Sequence, residues 1–318
     1  MQLRFGVSAA LVLLLGAGST YAQRDYPNKT VRIFTTEPGG AADIASRLIA
    51  QGISGPLGQP VVVENRAGGI TAVEAVAKAP PDGYSMIHYG STIWLLPFMR
   101  DNAPWEARDF APVSLTITAP NLLVVHPSSG MNSVRELIAL ARTKPGMLNY
   151  AMGSRGTSTH LSAELFLNMT GVKVTGVPYK GNVPGMNAVL GGEVQLVFPS
   201  AGSGGPFVKS GKLKALAVTS AEPTALFPGV PTMAEAGVPG YESVSIIGVL
   251  VPAQTPDGII RRLNQEIVKF MIQQEVRDKF FNSGAEVVGS SPESFGLKIK
   301  SEMSRLGKII RDVGIRLD

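Results

Sequence analysis

A short apolar run, a glycine-rich loop and the start of a helical pattern follow one another in Val31-Arg32-Ile33-Phe34-Thr35-Thr36-Glu37-Pro38-Gly39-Gly40-Ala41-Ala42-Asp43. The β-branched and aromatic residues from Val31 to Phe34 predict a strand, and the spacing of apolar residues from Asp43 to Gln51 predicts a helix. The glycines allow the chain to turn tightly between the two elements. A strand, a loop and a helix in this order are the building block of an α/β fold.

The same alternation continues along the chain. Further strands are predicted at 61–63, 85–89, 121–125, 148–151, 172–177, 194–198 and 215–219, and further helices at 72–78, from Ser133 onward, at 160–169 and at 184–190. Two longer amphipathic helices are predicted near the C-terminus, one after Pro256 and one from Ser291-Pro292. The chain is therefore predicted to contain parallel βαβ units, and it has no low-complexity linker.

The first 22 residues have the pattern of an export signal. Arg4 precedes an apolar core around Leu13, and small residues end the segment at Ala22. The alternative is a membrane anchor, but an apolar core of about a dozen residues is shorter than the ~20 that a spanning helix needs. We expect cleavage after Ala22, export to the bacterial periplasm and a mature chain long enough for two domains.

The composition excludes several classes of protein. The sequence has no cysteine, which removes disulfides, cysteine metal sites and lipid attachment at a cysteine. The net charge is +5, but the Lys and Arg residues are scattered without an aromatic platform, so no nucleic-acid partner is expected. The histidines His88, His126 and His160 lie far apart in the sequence, without metal-ligand spacing. Neither a metal nor a cofactor is predicted.

Four loops rich in glycine and hydroxyl groups follow predicted strands, at 35–43, 90–92, 152–160 and 198–205. In open α/β sheets, ligands bind outside the carboxyl ends of the strands, where such loops gather. The N–H groups at the helix starts that follow suit a carboxylate or a phosphate. Taken alone, the first loop favours a plain strand-to-helix turn with Asp43 near the N-cap. Together, the four loops predict a site for a small, oxygen-rich anion.

Motifs of known enzymes are absent or incomplete. The sequence lacks GxGxxG after a strand, a Walker A motif and HExxH. The segment from Ala201 to Gly205 departs from the GxSxG nucleophile motif because its first glycine is replaced by Ala201. We therefore predict a binding protein rather than an enzyme. The alternatives are a hydrolase based on Ser203 and His160, and an exported structural protein.

A series of short motifs runs in order through the chain after residue 24. They are Asp25-Tyr26-Pro27, Pro38-Gly39-Gly40, Gly58-Gln59-Pro60-Val61-Val62-Val63-Glu64-Asn65-Arg66, Ala79-Pro80-Pro81-Asp82-Gly83-Tyr84, Arg108-Asp109-Phe110-Ala111-Pro112-Val113, Leu148-Asn149-Tyr150-Ala151, Val177-Pro178-Tyr179-Lys180-Gly181 and Pro228-Gly229-Val230-Pro231-Thr232. With these motifs the chain resembles the Bug receptors, the solute-binding components of tripartite tricarboxylate transporters. The similarity is collinear and covers essentially the whole mature chain.

The resemblance implies a two-lobed periplasmic-binding-protein fold of the type II-like class, in which each lobe is a mostly parallel sheet flanked by helices. Lobe 1 would comprise residues 23–122 and 246–318, and lobe 2 residues 123–245, with the ligand cleft between them. The resemblance also implies that main-chain and hydroxyl groups of loops from both lobes hold a carboxylate. The corresponding residues are Thr36, Glu37, Gly39, Gly40, Ser91 and Thr92 in lobe 1, and Ser154, Arg155, Thr157, Ser158, Ser200 and Thr219 in lobe 2.

Two departures from the family pattern bear on the ligand. Glu37 would repel an anion unless it points away or meets an amine, and Pro199 stands where some amino-acid-binding members have Asp. A di-, tri- or aromatic carboxylate is therefore favoured, and an acidic amino acid is kept as an alternative. The expected partners are this small organic anion and the membrane permease subunits of a tripartite transporter. The alternative is a sensing receptor without a dedicated permease; a monomer is the family expectation.

Overall fold

The computed structural model describes residues 26–35, 41–66, 70–153, 156–179 and 181–317. Its strands are β1 (Val31–Thr35), β2 (Val61–Asn65), β3 (Ser85–Gly90), β4 (Phe110–Pro120), β5 (Leu122–Val125), β6 (Asn149–Met152), β7 (Thr175–Pro178), β8 (Leu196–Val197), β9 (Lys214–Val218), β10 (Val244–Pro252) and β11 (Glu286–Val287). Its α-helices are α1 (Ala41–Leu57), α2 (Ile70–Ala77), α3 (Thr92–Met99), α4 (Val134–Thr143), α5 (Ser158–Thr170), α6 (Asn182–Leu190), α7 (Ala201–Lys209), α8 (Asp257–Met271), α9 (Gln274–Asn282) and α10 (Pro292–Val313).

The strands form two sheets. Sheet 1 has the order β11-β4-β10-β3-β1-β2, and sheet 2 has the order β7-β6-β8-β5-β9. Helices pack against both sheets, so the predicted α/β architecture is confirmed. No helix in the ranges given above is both long and apolar enough to cross a bilayer.

Each sheet is mixed, which corrects the expectation of mostly parallel sheets. Parallel pairing joins β1 to β2 and β3, and joins β6 to β7 and β8. In contrast, β10 is antiparallel to β3 and β4, and β5 is antiparallel to β8 and β9. The path of the chain explains why β4 and β10 are antiparallel. Because β4 leads the chain out of sheet 1 and β10 brings it back, these two neighbours run in opposite directions.

The chain passes between the sheets twice. β4 ends at Pro120 in sheet 1 and β5 begins at Leu122 in sheet 2, with Asn121 between them. The return path lies between the end of β9 and the start of β10, whose Val244 pairs with Pro120. The two crossings therefore lie side by side, and the space between the sheets opens next to them.

One buried cluster of apolar side chains connects the helices α3, α5 and α10. It contains Trp94 of α3, Phe166 of α5, and Phe295 and Leu306 of α10. The rings of Trp94 and Phe295 meet edge to face, with their centroids 5.9 Å apart. The C-terminal helix thus packs on a helix beside each sheet, α3 and α5.

The fourth predicted loop is partly helical, which is a second correction. α7 begins at Ala201, and the Ser200 hydroxyl accepts a hydrogen bond from the N–H of Ser203 at 3.4 Å. Glycine has a low helix propensity, so the glycines of this segment indicated a loop. In the fold they allow close packing, because a Cβ on Gly204 would lie 2.7 Å from the Pro199 ring.

Candidate ligand-binding cleft

A cavity of about 240 Å³ opens between the two sheets, and we call it the polar cavity. The end of β3, the starts of α3 and α5, and β10 form its wall. Hydroxyl-bearing side chains line much of it, namely Tyr89, Ser91, Thr92, Thr157, Ser158, Ser243 and Ser245. None of the described residues that line it is charged. The wall therefore offers hydrogen bonds rather than counter-charges.

Two helix N-termini face the polar cavity. α3 follows its N-cap Ser91, and α5 follows its N-cap Thr157. Neither N-cap side chain accepts a capping hydrogen bond from a backbone N–H of its own helix. The side chains of Ser91 and Thr157 therefore leave the first-turn N–H groups uncovered, and the positive ends of two helix dipoles lie at the cavity. Such an arrangement suits a carboxylate or another small anion.

A buried carboxyl group of α10 positions Ser91. The Ser91 hydroxyl and the Trp94 indole N–H both donate to Oε2 of Glu302, each at 2.9 Å. Glu302 is fully buried, and burial raises the pKa of its carboxyl group, although the hydrogen bonds from Trp94 and Ser91 act in the opposite direction. Because the Ser91 hydrogen points to Glu302, the Ser91 oxygen is held at the cavity in one orientation.

Ion pairs of Glu242 also join α10 to the segment before β10. Glu242 accepts hydrogen bonds from Lys298 at 2.6 Å and from Arg305 at 2.7 Å. Partial burial disfavours ionisation of Glu242, but the hydrogen bonds from both cations outweigh it, so its pKa is lowered. These contacts fix the start of β10, which carries Ser243 and Ser245, against the C-terminal helix.

A second cavity of about 480 Å³ adjoins the first, and we call it the apolar cavity. The two share Ser158, Ser245 and Ile247 as lining residues. The other lining residues are Ile44, Ile117, Ala119, Ser200, Gly202, Ser203, Phe280, Ser283, Gly284 and Ala285. Strands of sheet 1 and the start of α5, which packs on β6 of sheet 2, line both cavities, so the pair forms one cleft between the sheets.

This cleft lies in a chain whose residues 45–315 match the profile of the tripartite tricarboxylate transporter family receptor. The chain belongs to this receptor family. BugT of Bordetella pertussis is 32% identical to the receptor over 317 residues, which cover 98% of this chain and 97% of that protein. The resemblance to the Bug receptors predicted from the motifs is confirmed.

Solved structures share the fold of the receptor. Rpa4515 of R. palustris, solved with adipate, is 36% identical with a TM-score of 0.76, covering 92% of this chain and 99% of that chain. MatC of Rhodopseudomonas palustris, solved with bound malate, is 28% identical with a TM-score of 0.71, covering 90% of this chain and 100% of that chain. The predicted periplasmic-binding-protein fold is confirmed.

Five of the predicted site residues of the receptor line the cleft. Ser91, Thr92, Thr157 and Ser158 line the polar cavity, and Ser200 lines the apolar cavity together with Ser158. Six others lie outside the described residues, namely Thr36, Glu37, Gly39, Gly40, Ser154 and Arg155. The hydroxyl-rich loops at strand ends therefore identified a group of residues that the fold brings together.

Thr219 does not lie with this group. Its side chain is fully buried, and its hydroxyl oxygen accepts a hydrogen bond from the N–H of Asn121 at 2.7 Å. Its backbone N–H donates to the carbonyl of Asn121, and its carbonyl accepts from the N–H of Ser243. Thr219 thus joins the two crossing segments of the receptor and lines neither cavity.

Several lining residues were not predicted as site residues. Ser243 and Ser245 stand beside the return crossing, and Ile44, Ile247 and Phe280 supply apolar surface. Polar and apolar residues alternate around Ser245 and Ile247, as in a strand, but this pattern is only a weak indication of a binding site. It does not reveal which face of β10 meets the cleft, because that depends on its pairing with β3 and β4.

His160, the histidine named for a hydrolase, has other partners in the receptor, and so does His88. Nδ1 of His160 accepts a hydrogen bond from the N–H of Gly156 at 3.0 Å, and its Nε2 lies 3.7 Å from Glu164. The ring nitrogens of His88 lie 2.8 Å from the hydroxyls of Ser46 and Thr116. The Ser203 hydroxyl is hydrogen-bonded to Ser200 at 2.8 Å. These contacts give neither ring the geometry of a general base for Ser203.

Proposed function

We propose that this chain is a periplasmic receptor that captures a small organic carboxylate for uptake by a tripartite tricarboxylate transporter. The observation that carries the proposal is the convergence of two helix N-termini on a hydroxyl-lined cavity between two sheets. Rpa4515 and MatC, which were solved with adipate and malate, support a carboxylate as the ligand class.

The proposal includes export and delivery. Residues 1–22 act as the signal peptide, with cleavage after Ala22, and the mature receptor hands its ligand to the membrane permease subunits. Membership in the transporter receptor family supports this partner. Capture and release involve no chemical change in the ligand.

We also propose that residues 23–122 and 246–318 move as lobe 1 against residues 123–245 as lobe 2. The crossings beside Asn121 and before Val244 would act as the hinge, since few residues join the two sheets there. Closure would bring the N-termini of α3 and α5 onto opposite sides of one carboxylate. Hinge motion of this kind is common in proteins that enclose a ligand between two lobes.

The receptor is expected to be stabilised by a carboxylate in thermal melting. A ligand at one hundred times its dissociation constant adds about 2.7 kcal/mol to the free energy of unfolding. The test uses purified protein that has been unfolded and refolded to remove carried-over ligand, with di- and tricarboxylates, aromatic acids and acidic amino acids as the panel. A shift with one class identifies the ligand, whereas a flat panel contradicts the proposed function.

The change Gly202→Ala is expected to weaken ligand binding about fivefold to 150-fold, because overpacking of this kind costs about 1–3 kcal/mol. Gly202 lies in the first turn of α7 on the lobe 2 side, and an added Cβ would lie 2.5 Å from the Ser283 carbonyl on the lobe 1 side. The clash would oppose closure but not the folding of either lobe. Calorimetric titration measures the affinity, and melting measures the stability of the free protein.

Gly55→Ala is the matched control, since an added Cβ at this helical glycine would have nothing within 4 Å. It should leave the affinity unchanged. Two results would contradict closure at the contact between Gly202 and Ser283. One is an unchanged ligand affinity in Gly202→Ala, and the other is a loss of stability in the free protein as large as the loss of binding free energy.

A further inference from the structure

The cleft differs in chemistry between its two ends, and this difference bears on the ligand. The N-termini of α3 and α5 lie at the polar cavity. The apolar cavity is walled by Ile44, Ile117, Ile247 and Phe280. Ser158 and Ser245 line both, so a ligand anchored at the helix N-termini would extend past them into the apolar cavity.

The hydroxyl groups that line the apolar cavity but not the polar one are already engaged within the protein. Those of Ser200 and Ser203 are hydrogen-bonded to each other at 2.8 Å, and that of Ser283 donates to the carbonyl of Phe280 at 2.7 Å. No described residue that lines this cavity carries a positive charge. A second carboxylate placed there would lose water without gaining a counter-charge, which is costly.

Ile44 is the clearest sign of what would fill this space. It stands in the first turn of α1, and half of its surface is exposed, although it faces a cleft. An aliphatic side chain exposed in a concave site gains free energy when apolar surface of a ligand covers it. The cavity is also large enough, since about 150 Å³ already accommodates benzene in a protein interior.

We propose that the ligand is a carboxylate with an apolar body, such as an aromatic ring or an alkyl chain of similar volume, whose body covers Ile44. This specificity rests on the proposed carboxylate-capture function. The carboxylate lies at the N-termini of α3 and α5, and the apolar body lies in the apolar cavity. Short polar acids with two or three carboxylates are poor ligands.

The test is calorimetric titration of the purified, refolded protein with two series of acids. One series is butanoate, hexanoate, octanoate and 3-phenylpropanoate, and the other is succinate, malate and citrate. Affinity is expected to rise about fourfold for each added methylene until the cavity is filled. The short polyacids are expected to bind about tenfold more weakly than 3-phenylpropanoate, or weaker still.

The change Ile44→Ser locates the apolar body. It should weaken binding of 3-phenylpropanoate about tenfold and leave butanoate nearly unchanged. Ile272→Ser is the matched control, because Ile272 is 47% exposed and lines neither cavity. It should bind every acid like the unchanged protein.

The outcomes separate the two proposals. If no acid of either series binds, the carboxylate-capture function is overturned, and the specificity with it. If succinate, malate or citrate binds as tightly as 3-phenylpropanoate, the capture function stands and the proposed specificity is wrong. A chain-length dependence that Ile44→Ser does not reduce would overturn the placement of the apolar body.

Discussion

Lowering the pH from 7 to 4 is expected to remove about 3 kcal/mol from the free energy of unfolding through His88 alone. His88 is completely buried in β3, with its ring nitrogens 2.8 Å from the hydroxyls of Ser46 and Thr116. Burial lowers its pKa from 6.5 to about 4, against a smaller raising effect of a hydrogen bond with the backbone of Ala42. The unfolded chain therefore takes up a proton near pH 6.5, whereas the folded chain does so only near pH 4. The stabilisation from His88 is complete above pH 6.5, and it is lost as the pH falls from 6.5 to about 4.

Urea unfolding followed by circular dichroism at closely spaced pH values measures this effect. The control is His88→Asn, which keeps hydrogen-bonding groups but does not titrate. Carboxyl groups contribute to acid unfolding in both proteins, so the difference between their pH curves isolates His88. Parallel curves between pH 7 and 4 would contradict the prediction.

The change Glu302→Ala is expected to lower the free energy of unfolding by about 3 kcal/mol, because it leaves a cavity and an unpaired indole N–H in the core. Trp94 is fully buried, and its Nε1 donates to Glu302 at 2.9 Å. Ser91 would lose its acceptor in the same change. Since Ser91 lines the polar cavity, ligand affinity should fall together with stability.

Glu302→Gln is the control, since its amide oxygen can accept both hydrogen bonds but cannot ionise. The raised pKa of Glu302 means that the folded chain holds this proton to higher pH than the unfolded chain. Its contribution to stability is complete below the unfolded pKa and is lost as the pH rises through the folded pKa. Glu302→Gln should lack this loss. Equal stabilities of the Ala and Gln variants would rule out the positioning role of Glu302.

Local signals predicted much of the candidate site. A short run of apolar and aromatic residues followed by glycine and hydroxyl residues indicates the end of a strand, and Ser91, Thr92, Thr157 and Ser158 all follow such runs. The carboxyl ends of neighbouring strands meet at one edge, so these residues were expected to gather. They do line one cavity. In the same way, a helix was predicted from Ser133 onward, and α4 begins there, with the Ser133 hydroxyl accepting a hydrogen bond from the N–H of Glu136.

Contacts between residues that are distant in the sequence explain where the sequence-based predictions of the site and of α7 were wrong or incomplete. Thr219 ends a predicted strand as the other residues do, but its hydroxyl is taken up by Asn121, 98 positions away in the chain. Glu302 lies on the buried face of the amphipathic helix α10, and nothing in the local sequence indicated that it belongs to a site. Its bond to Ser91 joins residues 211 positions apart. The glycines of α7 indicated a loop because their close packing against Pro199 depends on the folded chain.

By itself, the sequence determined the positions of most strands and helices, the export signal as an expectation, and membership in the receptor family. These follow from the periodicity of apolar residues, from caps and turns, and from the order of motifs, all of which act over a few residues. The tertiary structure alone decided the mixed pairing of the sheets, the joining of a polar and an apolar cavity, and the burial of His88 and Glu302. Burial and strand register arise from contacts between distant segments, and a one-residue shift in register would turn every side chain of a strand to the opposite face.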